Sequence, residues 1–336
     1  MFRSLPILLV LGAAAALPAV AAAQSEGPVG VRATGMGGAF VAVADDGSAT
    51  FWNPAGLASG SYFSLVVDWS SLLTPDASTA PHGRSAVLAA MGTPPLGVSY
   101  YRTRVSRTQP LAATAGEAPG RNTAGRDLRL ETLVTHQAGV TLVQSVWRSV
   151  AVGATVKYVR GVAATSIVSS GSPAIRSTGD LPGTSSGTVD VDFGVMAAGS
   201  VAKIGLAVRN ARQPSFASTA GADPITLQRR VRGGVSFLLT PSLTVAADAD
   251  FTKAETSAGR WRDAAVGAEA RLSPRAWARG GVHWNTAGGA SGPGSAPILS
   301  VGGSYTVYGS VLADAQVSVG SEAGDRGWGV GVRFVF

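Results

Sequence analysis

Arg326-Gly327-Trp328-Gly329-Val330-Gly331-Val332-Arg333-Phe334-Val335-Phe336 closes the sequence and decides how the rest of it is read. From Trp328 onward every second residue is large and apolar: Trp328, Val330, Val332, Phe334, Phe336. Between them stand Gly329, Gly331, Arg333 and Val335. A period of two is a strand with two different faces. One face is greasy and aromatic at its ends. The other is small and carries a charge. A sandwich in water can use such a strand. So can a transmembrane β-barrel, whose outer face meets lipid and whose inner face meets a polar lumen.

Composition favours the barrel. Apolar residues make up 46% of the chain and charged residues only 14%, less charge than a soluble exported domain usually carries. Beyond the first 23 residues no apolar run is long enough for a membrane helix. The 44 glycines favour strands and tight turns over helices. With no cysteine there is neither a disulfide framework nor thiolate chemistry. The formal charge of +7 comes from scattered basic residues without interleaved aromatics, which argues against a nucleic-acid partner. The start, Met1-Phe2-Arg3 followed by an apolar stretch and the small residues up to Ala23, reads as a secretory signal peptide over 1–23, cut after Ala23.

From Ser61 the chain reads as a ladder. Fourteen strand candidates lie near 61–70, 84–92, 95–104, 129–146, 149–160, 188–199, 202–210, 227–239, 243–252, 262–272, 276–285, 296–307, 310–320 and 326–336. The connections alternate. Long ones cover 71–83, 105–128, 161–187, 211–226, 253–261 and 286–295, with a shorter last one at 321–325. Tight ones are Thr93-Pro94, Trp147-Arg148, Ser200-Val201, Thr240-Pro241-Ser242, Ser273-Pro274-Arg275 and Val307-Tyr308-Gly309. Short periplasmic turns against long extracellular loops is the outer-membrane pattern, and it places both termini in the periplasm. The expected fold is therefore all-β, a 14-stranded antiparallel transmembrane β-barrel over 59–336.

Residues 24–58 do not alternate. Ala39–Ala44 reads as a short helix or compact turn, Asp45-Asp46-Gly47 as a turn or helix start, and Ser48–Trp52 as a short helix stopped by Asn53-Pro54. Gly35-Met36-Gly37-Gly38 lacks the preceding strand and the following Lys-Ser/Thr of a phosphate loop. Close backbone packing is the better account of its glycines. The combination of Gly30-x-Arg32-Ala33-x-Gly35-Met36-Gly37 with Asp45-Asp46 and Asn53-Pro54-Ala55-Gly56-Leu57 resembles the start of mature FadL-like outer-membrane transport proteins and their PorV/PorQ-like relatives. That resemblance implies an N-terminal hatch inside the barrel, with Gly35, Met36, Gly37, Asp45, Asp46, Asn53, Pro54 and Ala55 as its motif. It implies passive transport of small hydrophobic molecules, fatty-acid-like or aromatic, across the outer membrane. For the PorV/PorQ-like branch it implies instead an interaction partner in a type IX-type secretion pathway. A structural surface barrel is a further alternative. The strand ending on Phe336, with Trp328 and Phe334, is similar to those that imply recognition by the barrel-assembly machinery.

No catalytic set emerges. His82 and His136 fall near loop-side ends and His283 points inward. None shares a metal-ligand spacing with a carboxylate, and no Gly-x-Ser-x-Gly elbow occurs. The chain is expected to be no enzyme and to hold no metal or cofactor. Alternation instead turns many charges inward: Lys157, Asp190, Asp192, Arg209, Arg232, Asp248, Asp250, Glu269, Arg271 and Arg279, with Asp68, Arg230, Asp314 and Arg333. They read as an ion-pair network joining hatch to wall, or as a solute path with arginine to hold an anionic head group. The expected partners are outer-membrane lipid, the assembly machinery, and a hydrophobic small molecule or secreted proteins.

Overall fold

Alternating sequence becomes strand because each second side chain finds its own kind of neighbour across the ladder. The computed structural model describes residues 22–23, 29–74, 82–110, 127–169, 183–219, 224–256, 259–287, 297–320 and 326–336. The expected leader, apart from Ala22–Ala23, and much of the long connections lie outside the described residues. Fourteen strands form the wall: β1 (Ser64–Thr74), β2 (His82–Gly92), β3 (Leu96–Pro110), β4 (Asp127–Trp147), β5 (Val150–Ser169), β6 (Thr184–Ala198), β7 (Ala202–Arg209), β8 (Arg230–Thr240), β9 (Leu243–Asp250), β10 (Asp263–Ser273), β11 (Ala276–Asn285), β12 (Ile298–Tyr308), β13 (Val311–Gly320) and β14 (Arg326–Val335). Each pairs antiparallel with its chain neighbour, and the barrel is closed. Closure is made by β14 on β1, where Val330 faces Trp69 and Gly331 faces Asp68. All fourteen expected strands are present.

The faces follow the alternation. On β5, Ala151, Gly153, Thr155, Lys157 and Val159 are buried while Val156 and Tyr158 are exposed. On β9, Ala246, Asp248 and Asp250 are buried. Outside, Trp69 and Trp328 meet edge to face, ring centroids 5.2 Å apart. Phe63 and Phe336 lie 6.2 Å apart beside the closure.

The main departure from expectation is the height of β3 and β5, which were expected over 95–104 and 149–160 and run on to Pro110 and Ser169. β4, with 21 residues against an expected 129–146, and β5, with 20, are about twice as long as a tilted membrane strand needs. Polar inward pairs such as Thr103 with Thr135, 2.7 Å, and Ser106 with Thr132, 3.1 Å, continue the ladder on the loop side. Over this side folds the segment after β7. Phe216, Ile225 and Leu227 are buried against Leu133, Val159 and Ala163.

Residues 29–59 form a five-residue helix α1 (Val31–Gly35), a turn over 41–43, a four-residue helix α2 (Ala49–Trp52) and a 3-10 helix (Pro54–Ser59). The segment is almost entirely buried. Met36, Phe40, Val41 and Phe51 join Val66, Leu88 and Tyr101 of the wall in the largest apolar cluster. Two contacts show why glycines face inward. Gly37 has φ +66°, and a Cβ there would stand 2.5 Å from Val282 N on β11. A Cβ at Gly153 of β5 would stand 2.6 Å from Ala55 N. Backbone touches backbone at both places, which no other residue permits.

Candidate functional site: an anchored segment between two cavities

Residues 29–59 contain one basic side chain, and it is the hub of the site. Arg32 projects from α1 and binds both carboxylate oxygens of Glu269 of β10 through one edge of its guanidinium, Nε and Nη2, at 2.9 and 2.8 Å. Its remaining nitrogen reaches Asp45 and Asp46, the latter at 3.0 Å. The network then spreads along the wall. Arg333 of β14 joins Asp46 at 3.3 Å and Asp314 of β13 at 3.2 Å. Arg279 of β11 bridges Glu269 and Asp314, and the Ser304 hydroxyl donates to Asp314. Burial by itself would push the Asp46 carboxyl up, but Arg32 and Arg333 outweigh it and hold it below the usual carboxylate range.

Other anchors use the segment's own backbone. Asp68 of β1 accepts from Val31 N at 2.9 Å and so fixes the start of α1. Asp248 of β9 accepts from Phe40 N at 2.8 Å and Val41 N at 2.9 Å. Arg232 pairs with that same carboxylate and donates to the Gly38 carbonyl at 3.0 Å. Asn53 works at the far end. Its amide donates to the carbonyls of Val41, 3.0 Å, and Val195, 3.1 Å, while its side-chain oxygen accepts from Ala55 N. Arg209 lies 3.4 Å above the Phe51 ring, a cation over an aromatic face.

Two cavities flank α1. On the turn side a cavity of about 1010 Å³ runs from Arg275, Trp277 and Tyr308 up to Arg32, Glu269 and Arg333. On the loop side a narrow pocket of about 50 Å³ is bounded by Val29, Leu72, Ala86, Val105, Ile298 and His283. The His283 ring is buried, and its Nδ1 has no hydrogen-bond partner among the described residues. Arg32 lines the turn-side cavity and Thr34, two residues on and so on the opposite face of the helix, lines the loop-side pocket. α1 therefore stands between them.

No protein-family model matches the chain, and no curated protein matches it in sequence. Solved structures do match in shape. The toluene transporter TbuX of Ralstonia pickettii superposes with a TM-score of 0.62 at 16% identity, over 92% of this chain and 98% of that one. The CymD monoaromatic hydrocarbon channel gives 0.61 at 13% identity, over 92% and 97%. A Pseudomonas aeruginosa FadL homologue gives 0.59 at 12% identity, over 91% and 98%. The fold is FadL-like. The first two of these are a transporter and a channel, not enzymes.

Within the FadL-like barrel the N-terminal motif residues singled out in the sequence fall into three groups. Gly35, Met36 and Gly37 pack on β11 and β12: Gly35 approaches Gly302, and Met36 lies against Gly281. Asn53, Pro54 and Ala55 seat on β5 and β6 at Gly153 and Gly194. Asp45 and Asp46 meet Arg32. Of the inward charges, Glu269 and Arg279 join the Arg32 network. Asp248, Asp250 and Arg232 form a second set with Arg230 and Asp263. A third set is Lys157 with Asp192 at 2.8 Å, Asp190 at 3.4 Å and Asn210 at 2.9 Å. Arg271 is a correction. It shares parity with Glu269 but sits beyond the lumen, exposed at the end of β10, donating to the Ser273 and Pro274 carbonyls and lying over Trp277. Trp328 and Phe336 are exposed on the outer face, and Phe334 is half-buried.

Sequence reasoning placed Arg32 in the motif but missed that it is the hub. The signal was there: a lone basic residue in an uncharged stretch, thirteen residues before two adjacent aspartates.

Proposed function

We propose that the chain is an outer-membrane barrel for passive transport of small hydrophobic molecules, fatty-acid-like or aromatic, and that residues 24–58 are its gating hatch. In this reading 1–23 is a cleaved leader and 59–336 the barrel. The observation that carries it is the position of α1 between two cavities of very different size. The turn-side cavity, about 1010 Å³, already has the volume of a small-molecule site. The loop-side pocket, about 50 Å³, is far below it. A cargo entering from the loops must move α1, and the Arg32 and Asp68 contacts are what it must break. TbuX and CymD, which share the fold, carry toluene and monoaromatic hydrocarbons by their descriptions. That supports the cargo class.

A second reading, the PorV/PorQ-like secretion partner, draws support from the density of ion pairs on the hatch, which suits a lumen kept shut. One experiment separates the two. Native mass spectrometry with small-molecule extraction compares detergent-purified wild type with a deletion of residues 30–58. A hydrophobic molecule present in the wild type and lost with the hatch supports transport. A wild-type barrel that purifies empty and takes up no added aromatic or fatty acid points to the secretion reading.

A further inference from the structure

The outer face of β3, β4 and β5 is ruled into registered rows. Ascending from the turns, the first is Leu96, Leu142 and Ala154, and the second Val98, Val140 and Val156. The third is Tyr100, Ala138 and Tyr158. The fourth is Arg102, His136 and Arg160. Apolar rows thus give way to an aromatic row and then, at once, to three basic side chains abreast.

The heights fit a bilayer edge. Trp147, 70% exposed, marks the turn-side end of β4. From Trp147 to Ala138 is nine residues (147 minus 138), roughly 30 Å along a strand and about 23 Å along the normal at a 40° tilt. That is close to the ~25 Å apolar band of an outer-membrane barrel, bounded by aromatic girdles. The Arg102–His136–Arg160 row begins where the hydrocarbon ends and headgroups start.

Among the described residues the row is unneutralised. Its neighbours on either side are Val87 of β2 and Gly187 of β6. Among the described residues no carboxylate pairs with Arg102 or Arg160. The Tyr100 hydroxyl holds the His136 ring at Nδ1, 2.8 Å away. Arg212 adds a further cation nearby, donating to the carbonyl of Val189, the residue opposite Tyr158. Elsewhere on the wall the pattern is weaker. Above the Trp69–Trp328 pair stands a single arginine, Arg326, between Val319 and Leu73.

We propose that this row is a docking site for the phosphate-bearing headgroup of an outer-leaflet lipid. Neighbouring strands lie about 4.8 Å apart, so Arg102 and Arg160 stand roughly 10 Å from one another and offer two planar forks suited to phosphate oxygens. The acyl chains would lie on the Val98–Val140–Val156 and Leu96–Leu142–Ala154 rows below. The inference rests on the outer-membrane placement proposed above and is independent of the cargo.

The test is a titration of the detergent-purified full barrel, followed by native mass spectrometry. The probes are diphosphoryl lipid A and the same lipid with its phosphates removed. Wild type is expected to prefer the diphosphoryl form by roughly tenfold or more, as charge-assisted contacts allow. Arg102→Ser/Arg160→Ser is expected to lose that preference, and Arg326→Ser to keep it. Equal binding of the two lipids by wild type overturns the site without recourse to any variant. So does an undiminished preference in the double variant. Wild type that binds neither lipid instead counts against the membrane placement itself.

Discussion

Arg32 is the one basic side chain of residues 29–59, and its hydrogen-bond partners, Glu269, Asp45 and Asp46, are all acids. Removing it leaves Glu269 and Asp46 buried with less compensation, the situation in which breaking a buried ion pair costs about 3–5 kcal/mol. Arg32→Ala should therefore raise amide exchange across residues 30–58 while the wall strands stay protected. Arg32→Lys should rescue little of this, because a point charge cannot serve both oxygens of Glu269 and the aspartates together. Asp46 makes a pH prediction at the same scale. Its folded pKa is depressed by Arg32 and Arg333, so its contribution is present above the unfolded value, near pH 4. It is lost only as pH falls through the lower folded value. Protection factors for residues 45–52 should stay level from pH 8 to about pH 4 and drop below that. A drop centred between pH 6 and 7 would show that Asp46 is not held by its arginines.

Residues 29–59 are positioned as an element by slots in the wall as much as by charge. Gly153→Val places a side chain where Ala55 N now lies, 2.6 Å from the new Cβ, so the Asn53-Pro54-Ala55 end should detach. Limited proteolysis should then cut near residues 53–58 in the variant and leave wild type intact. The same scale shows what the sequence could and could not reveal. Strands were legible because alternation persists over ten residues and more, as in β14. The tops of β3 and β5 were not: they were expected to end near 104 and 160, the length needed to cross lipid, but run on to Pro110 and Ser169, with Ser106 paired to Thr132 above the expected end of β3. α1 left no periodic trace because five residues make less than two turns. The inward charges were legible from parity, but their partners were not. Arg32 and Glu269 lie 237 residues apart, and only strand register brings them together. Parity also misled at Arg271, which has the right phase but lies past the end of the lumen.

At the scale of the molecule, the barrel account assigns lipid to the outer face. Val156, in the second apolar row of the outer face, is 56% exposed beside the buried Thr155. Val156→Lys should cost about 2–4 kcal/mol of folding stability in a bilayer, measured by refolding into lipid vesicles. A substitution without effect there would mean that the face meets water. The central claim is that the hatch must move for cargo to pass. The chain has no cysteine, so Arg32→Cys/Glu269→Cys can be bridged by a short bis-methanethiosulfonate without competing thiols. The measurement is whole-cell uptake of a radiolabelled aromatic hydrocarbon through this variant, before bridging, after it, and after reduction. The account predicts uptake that falls to background when α1 is tied to β10 and returns when the bridge is reduced. Uptake that continues unchanged through the bridged barrel would contradict it.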